Sequence, residues 1–184
     1  MPRGPRKIYN NALLNVTSRG NNKKPIFKKN LDYITFKNLL FRFATECKIK
    51  VYHYCLMPNH IHLTVKISNK KSLSKAMHKL QLSYFYHFKK RYKYVGRFWQ
   101  GRFHSKLIEN ELYLLTAGLY VEANPVKAKL TKTPSQYKWN SYNSYAYGEK
   151  DPIIELDPYY LSLSDKKTER QRMYREIMQR YLAA

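Results

Sequence analysis

The sequence predicts an α+β fold: a ferredoxin-like βαββαβα sandwich with an antiparallel sheet, followed by a C-terminal helical tail. Three observations predict this fold. Some apolar stretches alternate with polar residues, others repeat every three or four residues, and a turn pair joins two neighbouring strand-like stretches. We expect the helices on one face of the sheet and the other face free for a substrate.

The predicted strands are rich in β-branched and aromatic residues and are bounded by turn formers. They comprise residues 9–18, 50–57, 60–67 and 106–108. The second and third form a hairpin around Pro58 and Asn59, a typical turn pair. Apolar and polar residues alternate strictly along residues 60–67, so one face of this strand should be wholly apolar and the other wholly polar.

The predicted helices carry apolar residues three and four apart, the pattern of an amphipathic helix. They comprise residues 30–47, 72–92, 111–123 and 165–182. The stripe of the first helix consists of Leu31, Ile34, Leu39, Leu40, Phe43 and Ala44. The stripe of the second consists of Leu73, Met77, Leu80, Tyr84 and Phe88. Asn30 and Ser72 are the predicted N-caps. The third helix should end by Asn124, because Pro125 disfavours a helical conformation of the residue before it.

The charge of the chain is strongly unbalanced. It has 35 Lys and Arg residues against 12 Asp and Glu, a formal net charge of +23. Such an excess indicates a polyanionic partner, first of all nucleic acid, whose binding weakens as salt rises. The alternative polyanion is a membrane surface, but no apolar run approaches the roughly 20 residues that span a bilayer, and the N-terminus lacks a signal-type apolar core. We therefore expect a soluble, cytoplasmic protein without a membrane partner.

Tyrosine and cysteine usage adds two expectations. The 18 tyrosines suit stacking on unpaired bases, although packing in the core is the more common role for any one of them. Cys47 and Cys55 lack the spacing of a zinc finger or a disulfide framework, so both are expected to be buried thiols.

His60 and His62 lie two residues apart on the polar face of a predicted strand. Both imidazoles therefore leave the same face and could share one metal ion. A pair of this kind is weak evidence alone, because it is more often structural or incidental. Tyr120 and Asn124, four apart on the third helix, add to it because they share one helix face. Two imidazoles, an amide oxygen and a phosphate oxygen would form an open coordination shell for Mg²⁺ or Mn²⁺.

Tyr120 is the candidate nucleophile of this arrangement. Attack of its phenolate on phosphorus would leave a 5′-phosphotyrosine and a free 3′-OH. Helical spacing alone favours the alternative that Tyr120 is a core aromatic of an amphipathic helix.

Four blocks of the sequence carry a family resemblance. They are VTSRGN at 16–21, YCLMPNHIHL at 54–63, FWQGRF at 98–103 and YVEANPVKA at 120–128. In this order they resemble the signature blocks of the REP-associated tyrosine transposases, relatives of the IS200/IS605 Y1 transposases in the HUH endonuclease superfamily. The resemblance implies that His60 and His62 are metal ligands, that Tyr120 is the nucleophile, and that Asn124 replaces a glutamine ligand. Glu122 and His104 are outside candidates for the third ligand.

The resemblance also implies a substrate and a domain organisation. It spans about residues 3–147, which predicts a catalytic domain at 1–147 and a tail at 148–184. The implied partner is single-stranded DNA with a palindromic or REP-like hairpin and a short adjoining tag, bound by a monomer or homodimer in the bacterial cytoplasm, at the nucleoid. An N-terminal arm, residues 1–8, would help to bind the tag. The candidate DNA-binding residues are Arg3, Arg6, Lys7, Arg19 and Arg102.

Two other functions are compatible with these features. One is a non-catalytic, basic DNA- or RNA-binding module on the same fold. The presence of His60, His62, Tyr120 and Asn124 together argues against it, since a decayed site should have lost at least one of them. The other is a replication- or conjugation-type relative with the same metal motif, which the short chain disfavours.

Overall fold

The computed structural model describes residues 8–109 and 113–184 of the chain, and within them a mixed α/β fold. The strands are β1 (Leu13–Arg19), β2 (Ile49–Met57), β3 (His60–Ile67) and β4 (His104–Leu107). The α-helices are α1 (Asn30–Glu46), α2 (Ser72–Tyr92), α3 (Tyr113–Lys127), α4 (Tyr142–Ala146), α5 (Pro158–Ser162) and α6 (Lys167–Ala183). None of the helices in these ranges is long and apolar enough to cross a membrane.

The four strands form one open sheet in the order β2-β3-β1-β4. Every neighbouring pair is antiparallel, and β2 and β3 are joined by the tight turn at Pro58 and Asn59. The order of elements and the strand order are those of a ferredoxin-like sheet, so the predicted fold class is confirmed.

The first face of the sheet is covered by α1 and α2 and holds the main core. All the apolar residues of β3 lie in this core, as strict alternation predicts: Ile61, Leu63, Val65 and Ile67. The five residues predicted for the stripe of α2 are also buried there. The spacing of apolar residues therefore predicted correctly which face of β3 and which face of α2 is buried.

The orientation of α1 differs from the prediction at its first turns. Leu31 and Ile34 are 46% and 44% exposed, whereas Tyr33 and Phe36 are buried. Tyr33 stacks between the rings of Phe27 and Trp139, at centroid distances of 4.3 and 4.5 Å, and this aromatic packing turns the helix.

The starts of α1 and α2 also differ from the prediction by one residue. Asn30 and Ser72 are the first helical residues and not N-caps, since Lys29 and Lys71 occupy the cap positions. At α1 the carboxylate of Asp32 accepts the backbone N–H groups of Lys28 and Lys29, both at 2.9 Å, and thereby satisfies the N–H of the N-cap residue.

The second face of the sheet is not free, contrary to the expectation. Helix α3 lies over β2 and β3, with Val121 packed against Cys55 and Met57. A register shift between Val51 and His53 disrupts the alternation in β2 and allows consecutive residues, Tyr52 and His53, to contact the α3 side. The part of this face that remains open lies beside His60 and His62.

Helix α3 continues through Pro125 to Lys127, so the predicted end at Asn124 is wrong. Pro125 has no N–H to donate to the carbonyl of Val121, four residues earlier. The side-chain amide of Asn124 donates to that carbonyl at 3.1 Å and to the carbonyl of Tyr120 at 2.8 Å. The residue before the proline thus supplies the hydrogen bond that the proline removes.

The segment that follows α3, residues 128–184 and here called the C-terminal segment, covers the edge of the sheet at β2. The N–H of Leu56 donates to the carbonyl of Trp139 at 2.8 Å, and the N–H of Ser141 donates to that of Tyr54 at 3.0 Å. An exposed edge strand would offer unpaired backbone groups to other chains, and this segment pairs them. Residues on both sides of the predicted domain boundary at 147/148 contact each other. For example, the N–H of Asp157 donates to the hydroxyl of Tyr145 at 3.2 Å. The division at 147/148 itself stays a prediction.

A buried charged network joins α3 to β2 and to the C-terminal segment. Nδ1 of His53 lies 2.9 Å from Glu122 Oε1, and Nε2 lies 3.4 Å from Asp157 Oδ2, with all three side chains fully buried. Glu122 also accepts hydrogen bonds from Ser141 and Tyr174, at 2.5 and 2.6 Å. Burial alone would lower the pKa of His53, but hydrogen bonds and charges of Asp157 and Glu122 outweigh it and raise that pKa from 6.5 to about 9. His53 is therefore an imidazolium at neutral pH.

We expect the free energy of unfolding to fall as the pH rises from about 6.5 to about 9. The folded state holds a proton on His53 that the unfolded chain has lost in this range, so the stabilisation is fully present below pH 6.5 and is lost as the pH passes the folded pKa of about 9. The slope of the free energy of unfolding against pH should be on the order of 1 kcal/mol per pH unit. Urea unfolding at a series of pH values measures it.

The control for this prediction is Asp157→Asn, which removes one of the two carboxylates beside His53. The variant should be less stable at pH 6.5, and its stability should depend less on pH. Parallel curves for the two proteins between pH 6.5 and 9 would contradict a charged His53.

Candidate active site

An open cleft of about 560 Å³ lies at the end of the sheet where β1 and β2 end and β3 and β4 begin. The side chains that line it and bear on its chemistry are His60, His62, Tyr120, His104, Arg19 and Arg102. The cleft is thus lined by three imidazoles, a phenol and two guanidinium groups.

Strand register explains how the sheet brings these residues together. His60 pairs with Arg19 and His62 pairs with Thr17, while Thr17 also pairs with His104 on the far side of β1. Paired residues share a face of the sheet, so the side chains of both rows point into the same cleft.

The two imidazoles lie close together, with ring centroids 4.8 Å apart and an interplanar angle of 77°. Asn59 orients the first of them. Its side-chain nitrogen donates to the carbonyl of Lys23 at 2.9 Å, so its oxygen faces Nδ1 of His60 at 2.6 Å. His60 must then donate from Nδ1, which leaves the lone pair on Nε2.

Both histidines are neutral at physiological pH. Burial, with a smaller effect of the charge of Arg19, lowers the pKa of His60 to about 4. Burial, followed by the effects of His60 and Arg19, lowers the pKa of His62 to about 3. A neutral imidazole can offer its lone pair to a cation, so the chemistry of this pair fits a divalent metal.

Tyr120 lines the cleft and is not a core aromatic. Its side chain is 47% exposed, and its ring centroid is 6.0 Å from that of His62, nearly perpendicular to it at 83°. The adjacent residues Leu119 and Val121 are buried at 4% and 1% exposure, so the packing of α3 directs Tyr120 outward. The ammonium of Lys127 lies 5.8 Å from the Tyr120 ring.

The structure does not bring Asn124 into the lining of the cleft. Its side-chain nitrogen is held by the carbonyls of Tyr120 and Val121, so a ligand role falls to its oxygen and stays a prediction. Of the two outside candidates, His104 lines the cleft, whereas Glu122 is fully buried among His53, Ser141 and Tyr174. Within residues 8–109 and 113–184, no group of three or more His, Cys, Asp or Glu side chains is placed to hold a metal ion.

The candidate DNA-binding residues are only partly covered by the structure. Arg19 and Arg102 both line the cleft, and the N–H of Gln100 donates to the carbonyl of Arg19 at 2.9 Å, which holds the loop of Arg102 against the end of β1. Arg3, Arg6 and Lys7 lie outside the described residues.

Sequence reasoning missed two residues that shape the site. The sequence pattern assigns Asn59 to the turn alone, although its place next to the first histidine is the signal for an orienting role. The partnership of His53 with Glu122 had no sequence signal, because the two lie 69 residues apart.

Comparisons with known proteins identify a family and solved structures of similar fold. The profile of the family described as "Transposase IS200 like" matches residues 9–124. Among solved structures, the fold is similar to that of a REP-associated tyrosine transposase bound to a REP hairpin, with a TM-score of 0.68 and 16% identity over 85% of this chain and 93% of that one. A candidate transposase from Deinococcus radiodurans R1 gives a TM-score of 0.41 and 16% identity over 61% of this chain and 89% of that one.

No curated protein matches the chain in sequence. The profile match nevertheless covers more than half of the chain, including β1 to β4, His60, His62 and Tyr120. The protein therefore belongs to the IS200-like transposase family, a family of DNA-processing enzymes.

Proposed function

We propose that this protein is a metal-dependent endonuclease and strand transferase for single-stranded DNA, with Tyr120 as the nucleophile. The observation that carries the proposal is the position of Tyr120: half-exposed, in an arginine-lined cleft, with its ring 6.0 Å from that of His62. A phenol in such a position can reach a phosphodiester that enters the cleft.

The proposed step is a transesterification. The phenolic oxygen of Tyr120 attacks phosphorus, and the new P–O bond forms as the bond to the 3′-oxygen breaks. The phenolic proton is lost to solvent, and the 3′-oxygen takes up a proton and leaves as a free 3′-OH. Because the 5′ end remains linked as a phosphotyrosine, the 3′-OH of another strand can reverse the step and complete a transfer.

The proposed substrate is DNA that carries a palindromic or REP-like hairpin. The net charge of +23 and the two arginines of the cleft support a polyanionic substrate. The similar structure with a TM-score of 0.68 is of a protein bound to a REP hairpin, and we extend that type of substrate to this chain as part of the proposal. Since His60, His62 and Tyr120 line one cleft of one chain, we also propose that a monomer suffices for cleavage.

His60 and His62 would hold Mg²⁺ or Mn²⁺, with the oxygen of Asn124 or the ring of His104 as a further donor. The fit rests on two neutral imidazoles and on Asn59, which directs Nε2 of His60 away from itself. A bound divalent cation would supply Lewis acidity at the scissile phosphate. Asn59, for its part, fixes the ring orientation on which the binding depends.

The main prediction is a covalent adduct between the protein and a labelled, hairpin-bearing single strand. Tyr120→Phe should abolish this adduct, because the variant has no hydroxyl to attack phosphorus. The matched control is Tyr113→Phe, which changes another exposed tyrosine of α3, 65% exposed, and should leave the adduct intact. A denaturing gel measures both. An adduct that persists in Tyr120→Phe would refute the assigned nucleophile, and absence of any adduct from the wild type would favour a non-catalytic binding module.

A second prediction concerns the metal. Chelation should abolish cleavage, and so should His62→Ala, because either change removes the cation from the cleft. Cleavage should be at least as fast with Mn²⁺ as with Mg²⁺, since imidazole ligands suit the softer Mn²⁺ better. Single-turnover rates over a series of metal concentrations measure this. Much slower cleavage with Mn²⁺ would count against a ligand set with two imidazoles.

A third prediction concerns Asn59. Asn59→Ala removes the acceptor of the His60 Nδ1–H and should weaken metal activation about 10- to 100-fold, the usual scale for the orienting partner of a histidine ligand. Raising the metal concentration should restore part of the rate, which a merely unfolded variant would not show. An unchanged metal dependence would mean that Asn59 serves only the turn.

A further inference from the structure

A second cavity, of about 380 Å³, lies on the outer side of α2, against the loop of residues 96–99. Its apolar part is formed by Leu82, Phe85 and Trp99, and its polar part by His78, Gln81 and Arg97. Leu82 is 42% exposed, which leaves an apolar surface at the mouth of the cavity. The function proposed above does not use this cavity.

The aromatic wall of the cavity is held in place before any ligand arrives. The indole N–H of Trp99 donates to the carbonyl of Gln81 at 3.0 Å. Arg97 donates to the carbonyls of Trp99 and Gln100, at 3.2 and 2.8 Å, and so braces the loop. The rings of Phe85 and Trp99 both pack against the buried ring of Phe98, at 5.8 and 5.0 Å. A preformed flat surface of this kind loses little entropy when another ring stacks on it.

The cavity and the cleft are neighbours, separated by one loop. One loop lines both, since residues 96–99 border the cavity and residues 100–102 border the cleft. Gln81, in the wall of the cavity, donates to the hydroxyl of Ser18, in the wall of the cleft, at 2.7 Å. A strand that leaves the cleft across this loop therefore arrives at the outer side of α2.

Cations flank the apolar surface along the same face of α2. Lys75, His78, Leu82, Phe85 and Lys89 follow one another at spacings of three and four residues, so they form one stripe with an exposed lysine at each end. An apolar, aromatic floor between positive charges matches the chemistry of a nucleotide, whose base stacks and whose phosphates are anionic. It matches a neutral or basic peptide poorly.

We propose that this cavity is a subsite that stacks one unpaired base of the single-stranded DNA next to the hairpin, while Lys75 and Lys89, one beyond each end of the cavity, attract the phosphates of the neighbouring nucleotides. The inference rests on the proposed DNA substrate. It adds a binding site outside the cleft, on the opposite side of the loop that contains Arg102.

Binding measurements can test the subsite without catalysis, in Tyr120→Phe protein and without divalent metal. Two probes are needed, a hairpin with a single-stranded flank on each side and the same hairpin with blunt ends. Leu82→Glu should weaken binding of the flanked probe roughly tenfold, because a carboxylate at the mouth of the cavity would repel the DNA and disfavour stacking on Phe85 and Trp99, which contributes on this scale for one base. Leu31→Glu is the matched control, because it makes the same change at a leucine of α1 with 46% exposure. The two variants should bind the blunt hairpin equally.

Photocrosslinking gives an independent test that does not depend on the folding of a variant. With 5-iodouracil placed at successive positions of the flank, one position should crosslink to Trp99 or Phe85. Equal binding of the flanked probe by Leu82→Glu and Leu31→Glu, or crosslinks only outside residues 78–99, would overturn the subsite. If the covalent adduct forms and the subsite tests fail, only the subsite is wrong. If Trp99 crosslinks but no adduct forms, the proposed chemistry is wrong and the subsite stands.

Discussion

The buried imidazolium of His53, held between Glu122 and Asp157, is the interaction on which the rest of the structure depends. A buried charge is tolerated only when it is paired and hydrogen-bonded, so this contact fixes the distance between β2, α3 and the start of α5. Gly118 makes it possible, because a Cβ at this position would lie 2.4 Å from the ring of His53. The network therefore sets both the position of α3 on the sheet and its rotation about its own axis.

The rotation of α3 decides where Tyr120 points. Glu122 follows Tyr120 by two residues, which is about 200° around a helix, so fixing one side chain in the interior directs the other outward. The C-terminal segment contributes to this control, since Asp157 and Tyr174 both bind the network. A segment without any residue in the cleft thus helps to orient the candidate nucleophile.

The sequence predicted those parts of the molecule whose causes are local. The alternation along β3 placed His60 and His62 on one face, and the stripe of α2 identified its buried side. The predictions that were wrong depend on residues distant in sequence or on a side chain that compensates for a proline. Stacking of Tyr33 on Trp139, more than 100 residues away, turned α1, and the Asn124 amide carried α3 past Pro125. The fold class and the histidine pair could be predicted, whereas the orienting roles of Asn59 and His53 required coordinates.

Residues 120, 122 and 124 of α3 divide three tasks among them: one faces the cleft, one holds the helix to the core, and one repairs the helix at Pro125. The repair also concerns the proposed third metal ligand. Because the amide nitrogen of Asn124 binds the backbone, its oxygen is directed away from the helix turn, and the side chain is fixed by the same bond. The short side chain of asparagine can return to the carbonyls of its own preceding turn. If Asn124 is a metal ligand, its oxygen would bind the cation while its nitrogen keeps both backbone contacts, so helix repair and metal ligation would fall to opposite ends of one amide.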